Sequence, residues 1–277
     1  MAKLVGVFAA SHGPLMALEW EAVEPARREA AAGAFFEIGR RLTSSGADVL
    51  IMISPDHWVN FFIDNLPSVC IGLGEVHEGP PEPWLKDFPF QVLPGHPQLA
   101  HHIAAAALEN DFEPSLSYHL KLDHGFAIPL WKIGVAPLPA IIPIIINDLE
   151  PPLPSVRRCL AWGDLIARAI ESYPENLRVA IFATGGLSHS IGEPTMGRVD
   201  EAFDRECIAH FASGDPKALV EFLNARLPSA GNGGDEIRNW VMAHGAARAR
   251  GFELIHYDPL TEWYIGGGWA AWNLQSA

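Results

Sequence analysis

Along the chain, short continuous apolar runs alternate with stretches whose apolar residues recur every three or four positions. Leu4 to Ala10 (LVGVFAA), Asp48 to Ile53 (DVLIMI), Ala140 to Ile146 (AIIPIII) and Arg178 to Ala183 (RVAIFA) are runs of the first kind. They are too short for core helices and rich in Val and Ile, which predicts buried strands. Asp64 to Leu73 and Phe252 to Tyr257 read as further extended segments. Pro143 lacks a backbone N–H, so its strand is expected at a sheet edge or a bulge. Helical spacing marks Pro25 to Leu42, where Phe35, Ile38 and Leu42 share a face, and Val156 to Tyr173. Pro97 to Leu108 is alanine-rich and helical, and Asp200 to Phe211, Pro216 to Leu227 and Asp235 to Arg248 complete the predicted helices.

Strands without polar alternation need cover on both faces, and the intervening helices supply it. The expected fold is α/β: a single three-layer domain over residues 1–277, with a mostly parallel or mixed central sheet between helices. No composition break, polar linker, repeat or low-complexity tract interrupts it. The proline-rich stretches Gly79 to Pro83 and Pro151 to Pro154 read as surface loops.

Charge narrows the function classes. Nineteen basic against 33 acidic residues give a net −14, which argues against a nucleic-acid or anionic-membrane partner, since both need a positive face. With 49% hydrophobic and 19% charged residues the chain can bury a large core, so global disorder is excluded. The three cysteines, Cys70, Cys159 and Cys207, are scattered without a CxxC pair. They form neither a disulfide framework nor a thiolate zinc site, and the expected setting is a reducing, cytoplasmic one. Ile133 to Ile146 is the most apolar stretch, but Pro137, Pro139 and Pro143 make it too short and broken to span a bilayer. Met1 to Ala10 enters a strand with no signal-peptide pattern.

The candidate chemistry lies in the histidines. His12 follows the first strand in Ser11-His12-Gly13-Pro14, His57 follows the second in Ser54-Pro55-Asp56-His57-Trp58, and His189 follows the Arg178 to Ala183 strand in Gly185-Gly186-Leu187-Ser188-His189. Ligands of open α/β sheets bind beyond the carboxyl ends of the strands, so three imidazoles at such ends can converge. Singly, each is more often a capping or packing residue; the shared placement carries the signal. A fourth candidate, His124, stands in Leu122-Asp123-His124-Gly125-Phe126, where the alternative for Asp123 is a turn or N-cap residue. Glu236 follows the loose loop Gly231-Asn232-Gly233-Gly234-Asp235, and local spacing favours the plain reading that Asp235 and Glu236 offset a helix N-terminus. His77, His96, His101, His102, His119, His210, His244 and His256 read as surface or satisfied core residues. No glycine pattern forms a phosphate cradle, Gly266-Gly267-Gly268 reads as conformational, and no Gly-x-Ser-x-Gly elbow supports a serine hydrolase.

Ser11-His12, Pro55-Asp56-His57, Asp123-His124-Gly125, Gly185 to His189 and the glycine-rich lead into Glu236-Ile237-Arg238-Asn239-Trp240 occur in this order almost end to end. In this the chain resembles the class III extradiol ring-cleavage dioxygenases, the catalytic-subunit family of protocatechuate 4,5-dioxygenase and of relatives acting on 2,3-dihydroxyphenylpropionate. The resemblance implies that His12, His57 and Glu236 ligate Fe(II), leaving positions open for a catechol and dioxygen. It implies that His189 is the base that deprotonates a substrate hydroxyl and that His124 donates a proton or hydrogen bond. The expected substrate is a carboxylated catechol, cleaved with incorporation of both oxygen atoms. Its anchor is not readable; Asn60, Trp263 and Tyr264 are candidates because they adjoin matched motifs. The resemblance also implies either a homo-oligomer or a hetero-oligomer with a small subunit not in this chain. The rival readings are a zinc-dependent hydrolase using the same His/His/Glu site and a non-catalytic scaffold of the same fold.

Overall fold

The computed structural model describes residues 1–85, 88–89 and 91–274. The first half runs β1 (Lys3–Ala10), a one-turn α1 (Leu15–Leu18), α2 (Pro25–Ser45), β2 (Val49–Ser54), β3 (Val69–Gly72), β4 (Val76–Glu78), β5 (Val92–Pro94), α3 (Pro97–Glu109) and β6 (Ser115–Ser117). The second runs α4 (His124–Lys132), β7 (Ala140–Ile146), α5 (Val156–Ser172), β8 (Arg178–Thr184), α6 (Glu201–Ser213), α7 (Pro216–Arg226), α8 (Ile237–Ala246), β9 (Phe252–Leu260) and β10 (Ile265–Trp272).

Helix ends follow local chemistry. Glu24 caps α2 by accepting from the Arg27 N–H, Pro25 opens it, and Gly46 in the left-handed region closes it. Ser155, Asp200 and Asp215 cap α5, α6 and α7 with their side chains.

Eight strands form one mixed sheet in the order β6-β3-β7-β2-β8-β1-β10-β9, and β4 pairs with β5 separately. The centre, β7-β2-β8-β1, is parallel. Strand β3 runs antiparallel to β7, and β10 antiparallel to both β1 and β9. Alternate residues of the central strands feed two cores. Val7, Ile51 and Ile181 meet α3, α5 and α8 on one face; Phe8, Met52 and Phe182 meet α2 and α4 on the other. The three-layer expectation holds. No helix among the described residues is long and apolar enough to cross a membrane.

Two expectations need correction. Pro143 lies in an internal strand, not at an edge, since β7 sits between β3 and β2. The β3–β7 pairing stops at Ile71↔Ile144, one residue short of the proline. Gly72 there leaves room for the ring, because a Cβ would lie 2.5 Å from Pro143 Cγ. The Gly266–Gly268 stretch is part of β10, a strand between β1 and β9. Glycine carries almost no strand signal, so the pattern hid it.

Candidate metal centre

Strands β2, β8 and β1 are neighbours, parallel and nearly flush, with Ile53 paired to Ala183 and Ala10 to Thr184. The chain segments that leave their carboxyl ends therefore emerge side by side, and they carry His57, His189 and His12. Thr184 Oγ1 donates to Ser54 Oγ at 2.9 Å across two of these ends. Ser11 Oγ donates to the Gly266 carbonyl and accepts from the Gly268 N–H at 2.9 Å, which fixes the approach to His12.

His12 Nε2 and His57 Nε2 face each other at 3.2 Å. The carboxylate of Asp123 accepts from both the backbone N–H and Nδ1 of His57, at 2.7 and 3.0 Å. With its Nδ1 proton held there, His57 would present an Nε2 lone pair once a bound cation displaces the Nε2 proton. The other oxygen of Asp123 caps α4 by accepting from Gly125 N–H at 2.9 Å, so the N-cap alternative holds and the same carboxylate also orients His57.

Glu236 is 3% exposed and turned inward. Its Oε2 lies 3.9 Å from His12 Nε2, and its Oε1 lies 3.7 Å from His57 Nε2 and 3.6 Å from His189 Nε2. The plain reading of Glu236 as a helix-terminus charge does not describe this placement; Asp235 instead pairs with Arg238. Gly185, at φ 94°, makes the approach possible: a Cβ there would lie 2.5 Å from Glu236 Oε2, and the Gly186 N–H donates to that oxygen at 3.0 Å. Gly233 has the same function beside His189, where a Cβ would sit 2.1 Å from Nε2.

His189 and His124 are oriented through their Nδ1 atoms. His189 Nδ1 donates to the Leu187 carbonyl at 2.9 Å, which leaves Nε2 as the basic nitrogen. His124 packs against His57 with ring centroids 3.9 Å apart, and Glu82 Oε1 accepts from its N–H and Nδ1 at 2.9 and 2.8 Å. Glu82 gave no sequence signal: it lies in the Gly79 to Pro83 stretch, which is more than a surface loop because it buttresses the site.

The donor set suits a divalent cation. Ligand atoms about 2.0–2.2 Å from one ion stand roughly 3–4 Å apart, the spacing seen between His12, His57 and Glu236. His12, His57 and His124 also form a ligand-spaced group, with nitrogens within 4.8 Å of one another. Burial lowers the His12 pKa to about 3, against the pull of Glu236, and so favours its neutral ligand form. Burial opposes charge on His57 as well, yet Asp123 and Glu236 outweigh it and raise that imidazole to about 10. Glu236 is held well below the usual carboxylate range: burial resists ionisation, but the surrounding imidazoles prevail. The pocket thus stabilises positive charge between two buried carboxylates.

All five side chains line one cavity of about 450 Å³, together with Trp263 and Tyr264. Asn60 does not join them; its side chain bonds Asp56 and the Lys121 backbone. None of the other eight histidines lines this cavity. A larger groove of about 660 Å³ passes His101 and His119, but both are exposed and belong to no ligand-spaced group among the described residues.

Beneath the His189 turn, Asp204 was not singled out by the sequence. It accepts from the Ser188 N–H at 2.8 Å, from Ser188 Oγ at 3.0 Å and from the Tyr257 hydroxyl at 2.8 Å. Burial raises its pKa to about 6, against those hydrogen bonds. A carboxyl that holds its proton longer when folded than when unfolded loses stability as pH rises between the two pKa values. Asp204→Asn should therefore gain about 2–3 kcal/mol relative to the parent between pH 4 and pH 7. Denaturant unfolding at both pH values measures this, and a pH-independent difference would contradict it.

A family model described as the catalytic LigB subunit of aromatic ring-opening dioxygenase matches residues 6–265. A 2,3-dihydroxyphenylpropionate/2,3-dihydroxicinnamic acid 1,2-dioxygenase of Paraburkholderia phymatum is 29% identical over 279 residues, covering 82% of this chain and 85% of that protein. A gallate dioxygenase of Pseudomonas putida is 34% identical over 165 residues, or 56% of this chain and 46% of that one. Among solved structures, the uncharacterized protein JW3007 from Escherichia coli K12 superposes with a TM-score of 0.62 at 13% identity, over 96% of this chain and all of that one, a likeness of fold.

Proposed function

The chain belongs to the family of catalytic subunits of aromatic ring-opening dioxygenases, and from that premise we propose that it cleaves a catechol by an extradiol route, using Fe(II) held by His12, His57 and Glu236. The observation that carries this reading is the convergence of two Nε2 atoms and one buried carboxylate at 3.2–3.9 Å on one cavity wall. Two imidazoles and a carboxylate form the facial set typical of non-haem iron oxygenases. When bound, the iron would supply Lewis acidity toward the vicinal hydroxyls and a site for dioxygen.

The remaining work falls to the chain. Asp123 holds His57 in one tautomer and ring orientation. His189 takes a proton from a substrate hydroxyl at Nε2, because Nδ1 is already committed to the Leu187 carbonyl. His124, tied at Nδ1 to Glu82 and packed against the His57 ring, exchanges a proton at Nε2. Trp263, 2% exposed, forms a rigid wall for the aromatic ring. Both atoms of one dioxygen enter the ring-opened product.

Anaerobic loading with Fe(II), followed by oxygen uptake on a panel of catechols, tests the reading. The expected result is one dioxygen consumed per catechol, with a yellow ring-opened product. Oxygen-independent turnover by a zinc-loaded protein would overturn it in favour of hydrolysis.

A further inference from the structure

The cavity lining carries two chemistries. Four imidazoles and Glu236 make one part of it; Trp58, Leu149, Ile191, Trp263, Tyr264 and Ile265 wall the rest. This second wall is held rigidly from behind. Trp263 stacks on Trp20 with centroids 4.8 Å apart, its Nε1 donates to the Glu19 carbonyl at 3.0 Å, and Lys132 Nζ lies 3.6 Å over the Trp20 ring. Asn232 brackets Ile191, accepting from its N–H and donating to its carbonyl at 2.9 Å each.

The charges on the apolar part of the lining do not suit an anion. Glu150 lies on the cavity wall, exposed and carrying the sign of a substrate carboxylate. Arg27, Arg238 and Lys132 do not line the cavity and are engaged elsewhere. Arg27 holds Asp258 and Glu262, Arg238 holds Asp235 and the Pro154 carbonyl, and Lys132 faces Trp20. Among the described lining residues, Glu150 is the charged side chain outside the metal cluster, and polar groups beside it in the lining, such as the Tyr264 hydroxyl and the Trp58 indole, are neutral donors.

Resting on the ring-cleavage reading above, we propose that this site selects catechols whose ring substituent is neutral and apolar, read by the Trp263, Ile191 and Leu149 wall. Apolar surface that leaves water against such a wall strengthens binding by about fourfold per methylene. Among the described lining residues such a carboxylate meets Glu150 and no cationic side chain outside the imidazole cluster, a penalty of roughly ten- to hundredfold. This proposal sets an apolar substituent against the acidic one the resemblance implied, and it departs from the acids for which the two named relatives are called.

The test compares 3-methyl-, 3-ethyl- and 3-propylcatechol, and 3-(2,3-dihydroxyphenyl)propionate with its methyl ester, on the Fe(II)-loaded protein. Anaerobic calorimetry reads binding and oxygen uptake reads kcat/KM. Affinity and kcat/KM should climb about fourfold per methylene, and the ester should exceed its acid by tenfold or more. Ile191→Arg, at a half-exposed wall position, should reduce or invert that ester-to-acid ratio. A flat alkyl series, or an acid equal to its ester, overturns the substrate class while leaving ring cleavage standing. If no catechol is bound or consumed, the ring-cleavage reading falls and takes this one with it.

Discussion

Glu236→Ala should abolish metal retention and turnover together while the sheet stays folded. Removing an outer hydrogen-bond partner of a metal ligand costs ~10–100-fold in affinity, so losing an anionic ligand should cost more. The carboxylate also neutralises part of the ion's charge in a buried site, where an uncompensated charge is costly. Metal content after gel filtration, together with the far-ultraviolet circular dichroism spectrum, decides the matter. A variant that retains stoichiometric iron would shift the third ligand to His124, the other member of the ligand-spaced imidazole group.

His189→Ala should give the opposite pairing: iron retained and turnover lost by ~10²–10⁴-fold, the contribution of a positioned acid–base group. The ligand-spaced imidazole group contains His12, His57 and His124 but not His189, although His189 Nε2 lies 3.6 Å from Glu236 Oε1. If saturating iron restores normal turnover to the variant, His189 is a ligand or a support and not the base.

The four parallel central strands were readable because a strand buried on both faces leaves an uninterrupted apolar run, and the strand-end histidines were readable because turns follow such runs directly. Glu236 was not. A carboxylate at a helix start has a routine electrostatic explanation, and only the three-dimensional turn at Gly185 and Gly186 shows that it faces inward. Glu82 and Asp204 were hidden for a related reason: each acts through another residue, His124 or Ser188, that is distant in sequence. Strand β10 was lost because its glycines are required by close approach, as where a Cβ at Gly266 would lie 2.0 Å from Asp204 Oδ2, and such needs leave no hydrophobic period. Asn60 was over-read for the reverse reason, since adjacency to a motif says nothing about which way a side chain turns.

The flush ends of β1, β8 and β2 bear on how the molecule assembles. Its proposed metal ligands, His12, His57 and Glu236, are separated by 45 and 179 residues, and no local hairpin or helix brings any two of them together. Joining such distant segments requires closing long loops, so the site forms only once the parallel centre is in register. An ion cannot template early folding here. It binds the finished sheet and withdraws native molecules from the unfolding equilibrium in proportion to its free concentration. With the proposed iron as that ion, starvation for it would leave a folded but more easily opened chain, and the protein's abundance would follow the metal's supply.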